Sequence, residues 1–485
     1  MIPHLPALIF LLPFAAAISM PLVSLVRVTW CRGLTLGVLV SMAVLSFVLC
    51  HQVVEYGPFH YPLAGWPPPL GIEWVADGLN GLLLPILASL ACIGVWYASP
   101  TVVDGKGRVY YYTLVLLLVS GLTGILLAGD LFNIFVFLEV SALSSYALVG
   151  LAGGRALISA FRYLILGTLG ASFYLLGVGH FYAVTGTLNM ADLAERLPSI
   201  LESKVVITGL IFMLIGLGIK MALVPLHGWL PDAYVYAPQS VSPLLAALVT
   251  KVALYAVVRL LYWVVSEQVI GQELPLLLLS SWLGAVATVV GAFLALSQQD
   301  LRRMFAYAGI SHIGLIVMGV CVDNPTGFAG GIFYLINDAI MQAALFAIAG
   351  MVMYSHGICE IADLSRIRGH MPWTLTALIV IAVSMIGIPP SGGFFGKWYI
   401  ILGALEASNY LVVAAVVGAT LLTLGYFVKI FERIFGEREP IRGGVQAEGP
   451  LPMRVSIGVL AGSTLLLGIL SDSVIRLILD HALPR

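Results

Sequence analysis

Four basic residues of this 485-residue chain stand inside long apolar segments: Lys220, Lys251, Arg259 and Lys397. A lysine or arginine at the centre of a bilayer costs from about 3 to more than 10 kcal/mol. Such a residue persists where it is paired, hydrated or able to give up its proton, and each of these states is useful for moving protons. These four residues are therefore the first candidates for chemistry.

Acidic side chains occur in the same kind of segment, at Glu139, Asp338 and Glu406. Glu139 ends a run of aromatic and aliphatic residues, where a lone carboxylate would be neutral and one beside a lysine could stay charged. The alternative is a structural ion pair that fixes the register of two helices. Glu406 is less informative, and we interpret it as an interfacial residue at the level of a loop.

Two of the lysines stand beside breaks in apolar segments. Pro225 removes a backbone hydrogen bond and clashes with the preceding turn, so the helix must kink or break one turn after Lys220. Residues 387–393 (GIPPSGG) cannot form a continuous helix, and Lys397 follows them closely. One broken helix in each half is typical of an inverted-repeat transporter, and we expect a hydrated cavity beside Lys220. The alternative there is a plain kink with a lysine that extends to the membrane surface.

Lys251 and Arg259 share the next helix. Eight residues separate them, which places them about 80° apart around the helix axis, so both can face the same side. Arg259 is nearer the helix end, which favours an interfacial anchor over a relay. Lys251 is deeper and is the stronger candidate for proton transfer.

Further polar residues could carry protons between the lysines, because they stand in or beside otherwise apolar helices. They are His227, Ser311, His312, Tyr334, Asp338 and Gln342. The last three share one helix face at i, i+4 spacing. Imidazole is the side chain best suited to carry protons near neutral pH, although each histidine can equally be a hydrogen-bonded packing residue.

The composition shows what kind of element must position these residues. Hydrophobic residues make up 60% of the chain and charged residues only 10%, against about 25% charged in an average soluble domain. This excludes a soluble globular enzyme, a nucleic-acid binder and a disordered chain, and the net charge of −1 gives no polyanion-binding surface. The five cysteines form no CxxC pair, so we expect no metal site and no cofactor.

A transmembrane helix needs about 20 apolar residues, and the chain offers fourteen such spans. No alternating ten-residue pattern appears, so the sequence predicts an all-α integral membrane protein rather than a β-barrel. The spans are approximately 5–27, 33–54, 79–98, 110–128, 130–152, 158–184, 205–226, 240–263, 275–297, 303–322, 328–354, 372–388 extending to about 405, 410–431 and 455–478.

The positions of the basic residues predict how these helices are oriented. Most of the 23 basic residues fall in the odd-numbered loops, and the even loops and termini hold only Arg196, Lys204, Arg476 and Arg485. By the positive-inside rule the odd loops are cytoplasmic and both termini face outward. The first segment lacks a basic flank and a small-residue cleavage site, so we interpret it as a retained helix.

Several motifs resemble those of the proton-translocating antiporter-like subunits. They are residues 129–139 (GDLFNIFVFLE), 218–233 (GIKMALVPLHGWLPDA), 237–246 (APQSVSPLLA), 300–307 (DLRRMFAY), 310–314 (ISHIG) and 387–390 (GIPP). The family covers the MrpD-type subunits of Na⁺/H⁺ antiporters, matching subunits of membrane-bound hydrogenases, and the L, M and N subunits of respiratory complex I. The resemblance spans about residues 77–435 and is closest to the MrpD-type subunits.

The resemblance implies about fourteen transmembrane helices with two inverted five-helix repeats, helices 4–8 and 9–13, each with a Gly/Pro-broken helix. Glu139 and Lys220 match the family's coupled carboxylate–lysine pair. Lys251 matches the connecting lysine, Lys397 the lysine of the second half-channel, and His312 the central polar axis.

Two departures from the family pattern stand out. Where many members have His and Lys on helix 11, this chain has Asp338 and Gln342, and where they have Lys at the start of helix 10 it has Arg302. The missing lysine changes the usual charge pattern of the second half-channel. Asp338 is therefore a candidate cation site or a different kind of relay.

These interpretations predict one polytopic membrane domain over residues 1–485. Helices 1–3 fall in residues 1–105, the first repeat in 106–265, the second in 270–435 and the C-terminal helix in 450–485. We expect a multi-pass protein of the cell membrane whose partners are other membrane subunits, protons, Na⁺ in the antiporter case, and lipid. The chain itself should perform no redox chemistry, although its complex can be an NADH:quinone oxidoreductase-like or hydrogenase-like translocase.

Two alternatives belong to other functional classes. One is a membrane redox subunit that binds quinone or haem, but no histidine pair at ligand-like spacing and no flavin or nucleotide motif supports it. The other is a stand-alone permease for a solute or lipid. A permease would be active by itself, whereas an antiporter-like subunit would need its partner subunits.

Overall fold

The computed structural model describes residues 4–102, 106–200, 203–265, 275–436 and 448–483. These ranges are almost entirely helical. The first half contains α1 (Leu5–Val26), α2 (Trp30–Tyr56), α3 (Gly78–Ala98), α4 (Lys106–Leu127), α5 (Leu131–Gly150), α6 (Arg155–Thr185), α7 (Met190–Arg196), α8 (Lys204–Lys220), α9 (Leu230–Tyr236) and α10 (Ser242–Arg259). The second contains α11 (Leu276–Ser297), α12 (Leu301–Val320), α13 (Pro325–His356), α14 (Pro372–Ile386), α15 (Gly392–Glu406), α16 (Tyr410–Phe435), α17 (Leu451–Ile469) and α18 (Ser471–His481).

Within these ranges, twelve helices are long and apolar enough to cross a membrane. The pairs α8/α9 and α14/α15 are shorter and lie at the two predicted breaks. When each broken pair is counted as one span, the total is the fourteen that the sequence predicts. The all-α membrane fold is confirmed.

At both breaks, backbone groups lose the hydrogen bonds that they would form inside a regular helix. After α8 the chain turns at Ala222, whose φ is +59°, and the indole N–H of Trp229 donates to the carbonyl of Ile219 at 2.8 Å. After α14 the chain turns at Gly387, whose φ of +87° suits a residue without Cβ. Side chains and turns thus bind the carbonyls that each break frees.

The two halves of the chain share the same sequence of an aspartate-capped helix, a long helix and a β-bridge. Asp130 caps α5 and Asp300 caps α12, each by accepting two backbone N–H groups. The Asp130 backbone bridges to Asn189, and that of Asp300 bridges to Glu360. In both halves the capped helix is followed by a helix of about thirty residues, α6 or α13, that ends at a left-handed glycine before the bridge.

The core of the molecule contains α10, α12 and α13. The most apolar window of α13 is entirely buried, and those of α10 and α12 are nearly so. Less than half of the corresponding window is buried in α1, α2, α6, α11, α16 and α17, which carry exposed apolar side chains on their outer faces. Peripheral helices therefore face lipid or neighbours, and the three buried helices hold most of the candidate residues.

The structure adds elements that the sequence did not indicate. Residues 57–77 contain a two-stranded antiparallel hairpin, β1 (Phe59–Pro62) and β2 (Glu73–Ala76), with Phe59 opposite Ala76. The last predicted span, 455–478, is divided between α17 and the short amphipathic α18. Trp74 of strand β2 forms an isolated β-bridge with Ala128, shortly before the start of α5.

Candidate functional site

Glu139 and Lys220 form an ion pair between α5 and α8. The Nζ of Lys220 lies 3.2 Å from Oε1 of Glu139 and 3.5 Å from the hydroxyl of Tyr146, which stands about two turns further along α5. The Lys220 side chain is 7% exposed and that of Glu139 25% exposed. The lysine is thus buried inside the protein at the end of α8.

An aromatic wall supports this pair. The ring of Tyr146 packs edge-on against Tyr163 at 4.5 Å, and Tyr163 stacks on Trp229 at 4.0 Å. Trp229 is itself held by its hydrogen bond to the break. The position of the Lys220 ammonium is therefore coupled to the geometry of the break through three packed rings.

A second, fully buried charge cluster joins the three central helices. The Nζ of Lys251 on α10 lies 2.9 Å from Oδ2 of Asp338 on α13. The other carboxylate oxygen of Asp338 lies 2.7 Å from Nδ1 of His312 on α12. Lys251 also donates to the carbonyl of Ala246 at 2.8 Å. Asp338 thus links the lysine of one half of the chain to the histidine of the other.

Polar groups with spare hydrogen-bonding capacity surround this cluster. Within the described ranges, Nε2 of His312, the hydroxyls of Tyr334 and Tyr426, and Nε2 of Gln342 have no hydrogen-bond partner in the protein. The Tyr334 ring packs edge-on against His312 at 5.4 Å. Buried polar groups in native proteins are nearly always paired, so these four can bind water molecules beside Asp338.

Lys397 has a different environment. Its Nζ donates to the carbonyls of Met385 at 2.7 Å and Ile386 at 3.2 Å, and to the hydroxyl of Thr420 at 3.2 Å. The carbonyls belong to the last turn of α14, which the break leaves without intrahelical partners. Lys397 therefore lies on α15 beside the second break and binds the backbone groups that this break frees.

Arg259 is buried at the end of α10. Its guanidinium forms an ion pair with Asp77, which caps α3, and its Nε donates to the hydroxyl of Tyr255 at 2.6 Å. The guanidinium also lies over the ring of Trp263 at 4.5 Å. Arg259 is 4% exposed, and its ion pair with Asp77 connects α10 to the start of α3.

The remaining candidates are not all brought together. Ser311 donates to the carbonyl of Thr288 on α11, which is a packing contact away from the Asp338 cluster. His227 is half-buried at the first break, where its ring packs edge-on against Tyr307 at 6.2 Å. Glu406 is exposed at the end of α15, as the sequence predicts for a residue at loop level.

Sequence reasoning did not identify Asp77, Tyr146 or Thr420 as neighbours of the charged residues. Tyr146 was detectable in principle, because it follows Glu139 by seven residues and so lies on the same helix face. Asp77 stands in a loop, and Thr420 is a common hydroxyl residue in an apolar helix, so neither carries a signal. The described residues contain no group of three His, Cys, Asp or Glu side chains that could hold a metal ion.

Comparisons with known proteins place the chain among membrane subunits of two kinds of complex. Residues 128–423 match the family model described as NADH:quinone oxidoreductase/Mrp antiporter, TM. The chain is 41% identical to the N subunit of an NADH-quinone oxidoreductase from Desulforudis audaxviator, with 99% of both chains covered. It is 33% identical to the D-type subunit of an Na⁺/H⁺ antiporter from Alkalihalophilus pseudofirmus, over 82% of this chain and 81% of that protein.

A solved structure also matches the fold. A chain of the Mrp complex from a Dietzia species superposes with a TM-score of 0.90 and 27% identity, and the match covers 98% of this chain and 96% of that one. The family model covers more than half of the sequence, and the relatives cover most or almost all of it. The chain therefore belongs to the NADH:quinone oxidoreductase/Mrp antiporter membrane family.

Proposed function

We propose that this chain is an ion-translocating membrane subunit of a multisubunit complex and that it moves protons along its central buried axis. The observation that carries the proposal is the row of three buried lysines, Lys220, Lys251 and Lys397. Two of them lie at the helix breaks, and the third is paired with a buried carboxylate. Ionisable residues inside membrane helices mark ion pathways because their burial is so costly.

The physical basis is the dependence of lysine protonation on its partner. At 4 Å and an effective dielectric constant of 20, opposite charges attract by about 4 kcal/mol. One pKa unit corresponds to about 1.4 kcal/mol, so forming or breaking a carboxylate–lysine pair changes the proton affinity of a lysine by roughly a thousandfold. Separation of Glu139 from Lys220 would therefore release a proton from Lys220 towards the axis.

Asp338 is the proposed meeting point of the two halves. It holds Lys251 and His312 on its two oxygens, so a change on either side alters the charge that the other side experiences. A proton from Lys220 would reach Lys251, pass the Asp338–His312 pair and continue to Lys397. Tyr334 and Gln342, with water, would complete the second part of the route, while His227 and Ser311 would contribute less.

The shared design of the halves supports two inverted repeats, over about residues 106–265 and 270–435. Each begins two helices before its long helix and includes one broken helix. The distribution of basic residues further supports an orientation with both termini on the outer face of the cell membrane, which places the β1–β2 hairpin outside.

The family relation suggests the partners. The matching solved chain comes from an Mrp complex, and the named relatives are subunits of antiporters and quinone oxidoreductases. We propose that this chain likewise works beside other membrane subunits, with Na⁺ as the counter-ion if the assembly is an antiporter. The chain alone should then show little transport.

The proposal is tested by proton flux in vesicles that contain the intact complex. Glu139→Ala, Lys220→Ala and Lys397→Ala should each reduce the flux at least tenfold while the complex still assembles. Glu406→Ala is the matched control, because Glu406 is an exposed glutamate at a helix end. Undiminished flux with Glu139→Ala would overturn the scheme.

A further inference from the structure

A cavity of about 310 Å³, lined by both apolar and ionisable side chains, lies on the side of the molecule that carries the β1–β2 hairpin. Its walls come from the hairpin, the start of α3, the start of α7, the end of α10 and the C-terminal end of α18. Its ionisable lining residues are His60, Glu73, Asp77, Arg259 and His481. We call it the hairpin-side cavity. The transport route proposed above does not use it.

Glu73 is the buried carboxylate of this cavity. It is 4% exposed, its Oε1 accepts from Nδ2 of Asn189 at 2.6 Å, and its Oε2 lies 3.0 Å from Nδ1 of His60. The His60 side chain is 55% exposed. One partner of the His60–Glu73 pair therefore contacts solvent and the other is enclosed, which is the arrangement needed to carry a proton across a surface layer.

Arg259 and Asp77 form the inner wall of the same cavity. The Arg259 Nε donates to the hydroxyl of Tyr255, which in turn donates to the carbonyl of Leu126 at 2.7 Å. Arginine keeps its charge at any physiological pH, so this pair is a fixed dipole rather than a proton carrier.

One helix connects the hairpin-side cavity with the central cluster. Lys251, Tyr255 and Arg259 follow one another on α10 at steps of four residues, and the whole distance is about 12 Å along the helix. A small cavity of about 30 Å³ is lined by both Lys251 and Leu126, whose carbonyl binds Tyr255. The polar groups of α10 thus extend from the Asp338 pair to the wall of the cavity.

We propose that the hairpin-side cavity is a proton-exchange port, through which protons pass between the water on that side and the Lys251–Asp338 pair. This inference rests on the proposed function and adds the residues at which protons are exchanged. His60 takes a proton from water at Nε2 while its Nδ1 proton passes to Oε2 of Glu73. The ring stays neutral in its other tautomer, and Glu73 becomes the neutral acid that delivers the proton inward.

The charges around Glu73 are suited to this exchange. Those that face it from the packed elements are His60, Asp77, Asp130, Arg259 and His481. Burial, together with the nearby charge of Glu73, raises the pKa of Asp130 in the loop before α5. A raised carboxyl pKa means that Asp130 binds a proton at a higher pH than a free carboxyl does.

The port is tested with the intact complex in vesicles, by measuring proton flux while the pH is varied on one side at a time. Glu73→Gln should lower the flux at least fivefold and remove most of its dependence on the pH of the hairpin side. His60→Gln should lower it about threefold with a shifted profile on that side. Glu55→Gln is the matched control, since Glu55 is an exposed glutamate at the end of α2.

Two further variants separate the possible failures. Asn189→Ala removes a hydrogen bond to Glu73 but no titratable group, so the proton flux should keep its wild-type dependence on pH. If Asn189→Ala and Glu73→Gln reduce the flux and its pH dependence equally, the proposed port is wrong. If Glu73→Gln does not assemble, His60→Gln decides, and an unchanged profile overturns the proposal. Glu139→Gln tests the proposed route along the central buried axis. If Glu139→Gln abolishes the proton flux while Glu73→Gln and His60→Gln behave as wild type, only the proposed port is wrong.

Discussion

The three buried lysines have three different kinds of partner. Lys220 pairs with a partly exposed carboxylate, Lys251 with a fully buried one, and Lys397 with backbone carbonyls and the Thr420 hydroxyl. A carboxylate stabilises the ammonium far more than a neutral acceptor does, so interactions of different strength hold the three ammonium groups. A row of unequal sites can pass a proton in steps when the pairing changes.

The Lys251–Asp338 pair should show strong energetic coupling. Removal of one partner leaves a buried charge uncompensated, which costs about 3–5 kcal/mol, whereas replacement of both by apolar residues costs much less. We therefore expect Lys251→Met and Asp338→Leu each to lower the thermal midpoint of the purified complex strongly. The double variant should be more stable than either single variant.

The exposed pair Arg476–Asp472 on α18 provides the comparison. The two side chains are 73% and 69% exposed. Such pairs contribute at most about 1 kcal/mol to stability. Arg476→Met, Asp472→Leu and their combination should all stay close to wild type. If the changes in thermal midpoint caused by Lys251→Met and Asp338→Leu simply add up in the double variant, as we expect for the pair on α18, then Lys251 and Asp338 are not energetically coupled.

The candidate residues could be chosen from sequence, but several of their partners could not. Glu139, the lysines and Asp338 stand out because charge is rare in apolar helices. That Asp338 bonds both Lys251 and His312 depends on how α10, α12 and α13 pack, which periodicity within one helix does not contain. For the same reason the sequence gave no sign of the ion pair between Arg259 and Asp77.

At the level of elements, the two helix breaks position Lys220 and Lys397, the first and last lysines of the proposed route. Gly387 adopts a positive φ that residues with Cβ rarely adopt, and a Cβ there would also lie 3.2 Å from Cδ of Lys397. The backbone turn and the lysine that binds it therefore depend on each other. The first break lacks such a glycine and uses the Trp229 hydrogen bond instead.

Gly387→Ala should destabilise the second break. A left-handed non-glycine residue costs of order 1–3 kcal/mol, and the contact with Lys397 adds to this. We expect a lower thermal midpoint and a reduced proton flux. Gly179→Ala on α6 is the control, because no atom lies within 4 Å of its added Cβ and alanine favours a helix by up to about 1 kcal/mol. Equal stability of the two variants would contradict this account of the break.

The breaks were predictable and the hairpin was not. Pro225 and residues 387–393 interrupt helices wherever they occur, because proline lacks an N–H group and clashes with the preceding turn. Strands β1 and β2 have four residues each, which is too short for a reliable alternating pattern, and the ten residues between them are rich in proline. Their pairing depends on contacts with the rest of the protein.

On the scale of the whole molecule, the buried helices α10, α12 and α13 connect the two halves. At one surface Asp232 adds a further link, since its oxygens bind Arg162 at 3.2 Å and Arg303 at 2.9 Å. The sequence predicts the number of spans because each must cross about 30 Å of hydrocarbon. Which spans occupy the centre follows from packing, and the near-complete burial of α13 was not indicated by its composition.

The proposed orientation gives a direct labelling prediction. In a cysteine-free background, Leu70→Cys in the hairpin loop should react with a membrane-impermeant thiol reagent on intact cells. Arg27→Cys in the first loop should react only after the cells are opened. Both residues are well exposed, so access to the reagent decides the result. The reverse pattern would contradict the orientation and move the hairpin-side cavity to the cytoplasmic face.

We propose that protons cross the middle of the protein at Asp338, and the decisive measurement is proton flux through the complex that carries Asp338→Asn. Asparagine keeps the size of the side chain but removes the charge that holds Lys251 and His312. We expect at least a tenfold loss of flux in an assembled complex, partial recovery with Asp338→Glu, and no loss with the exposed control Asp323→Asn. A flux within twofold of wild type for Asp338→Asn would contradict it.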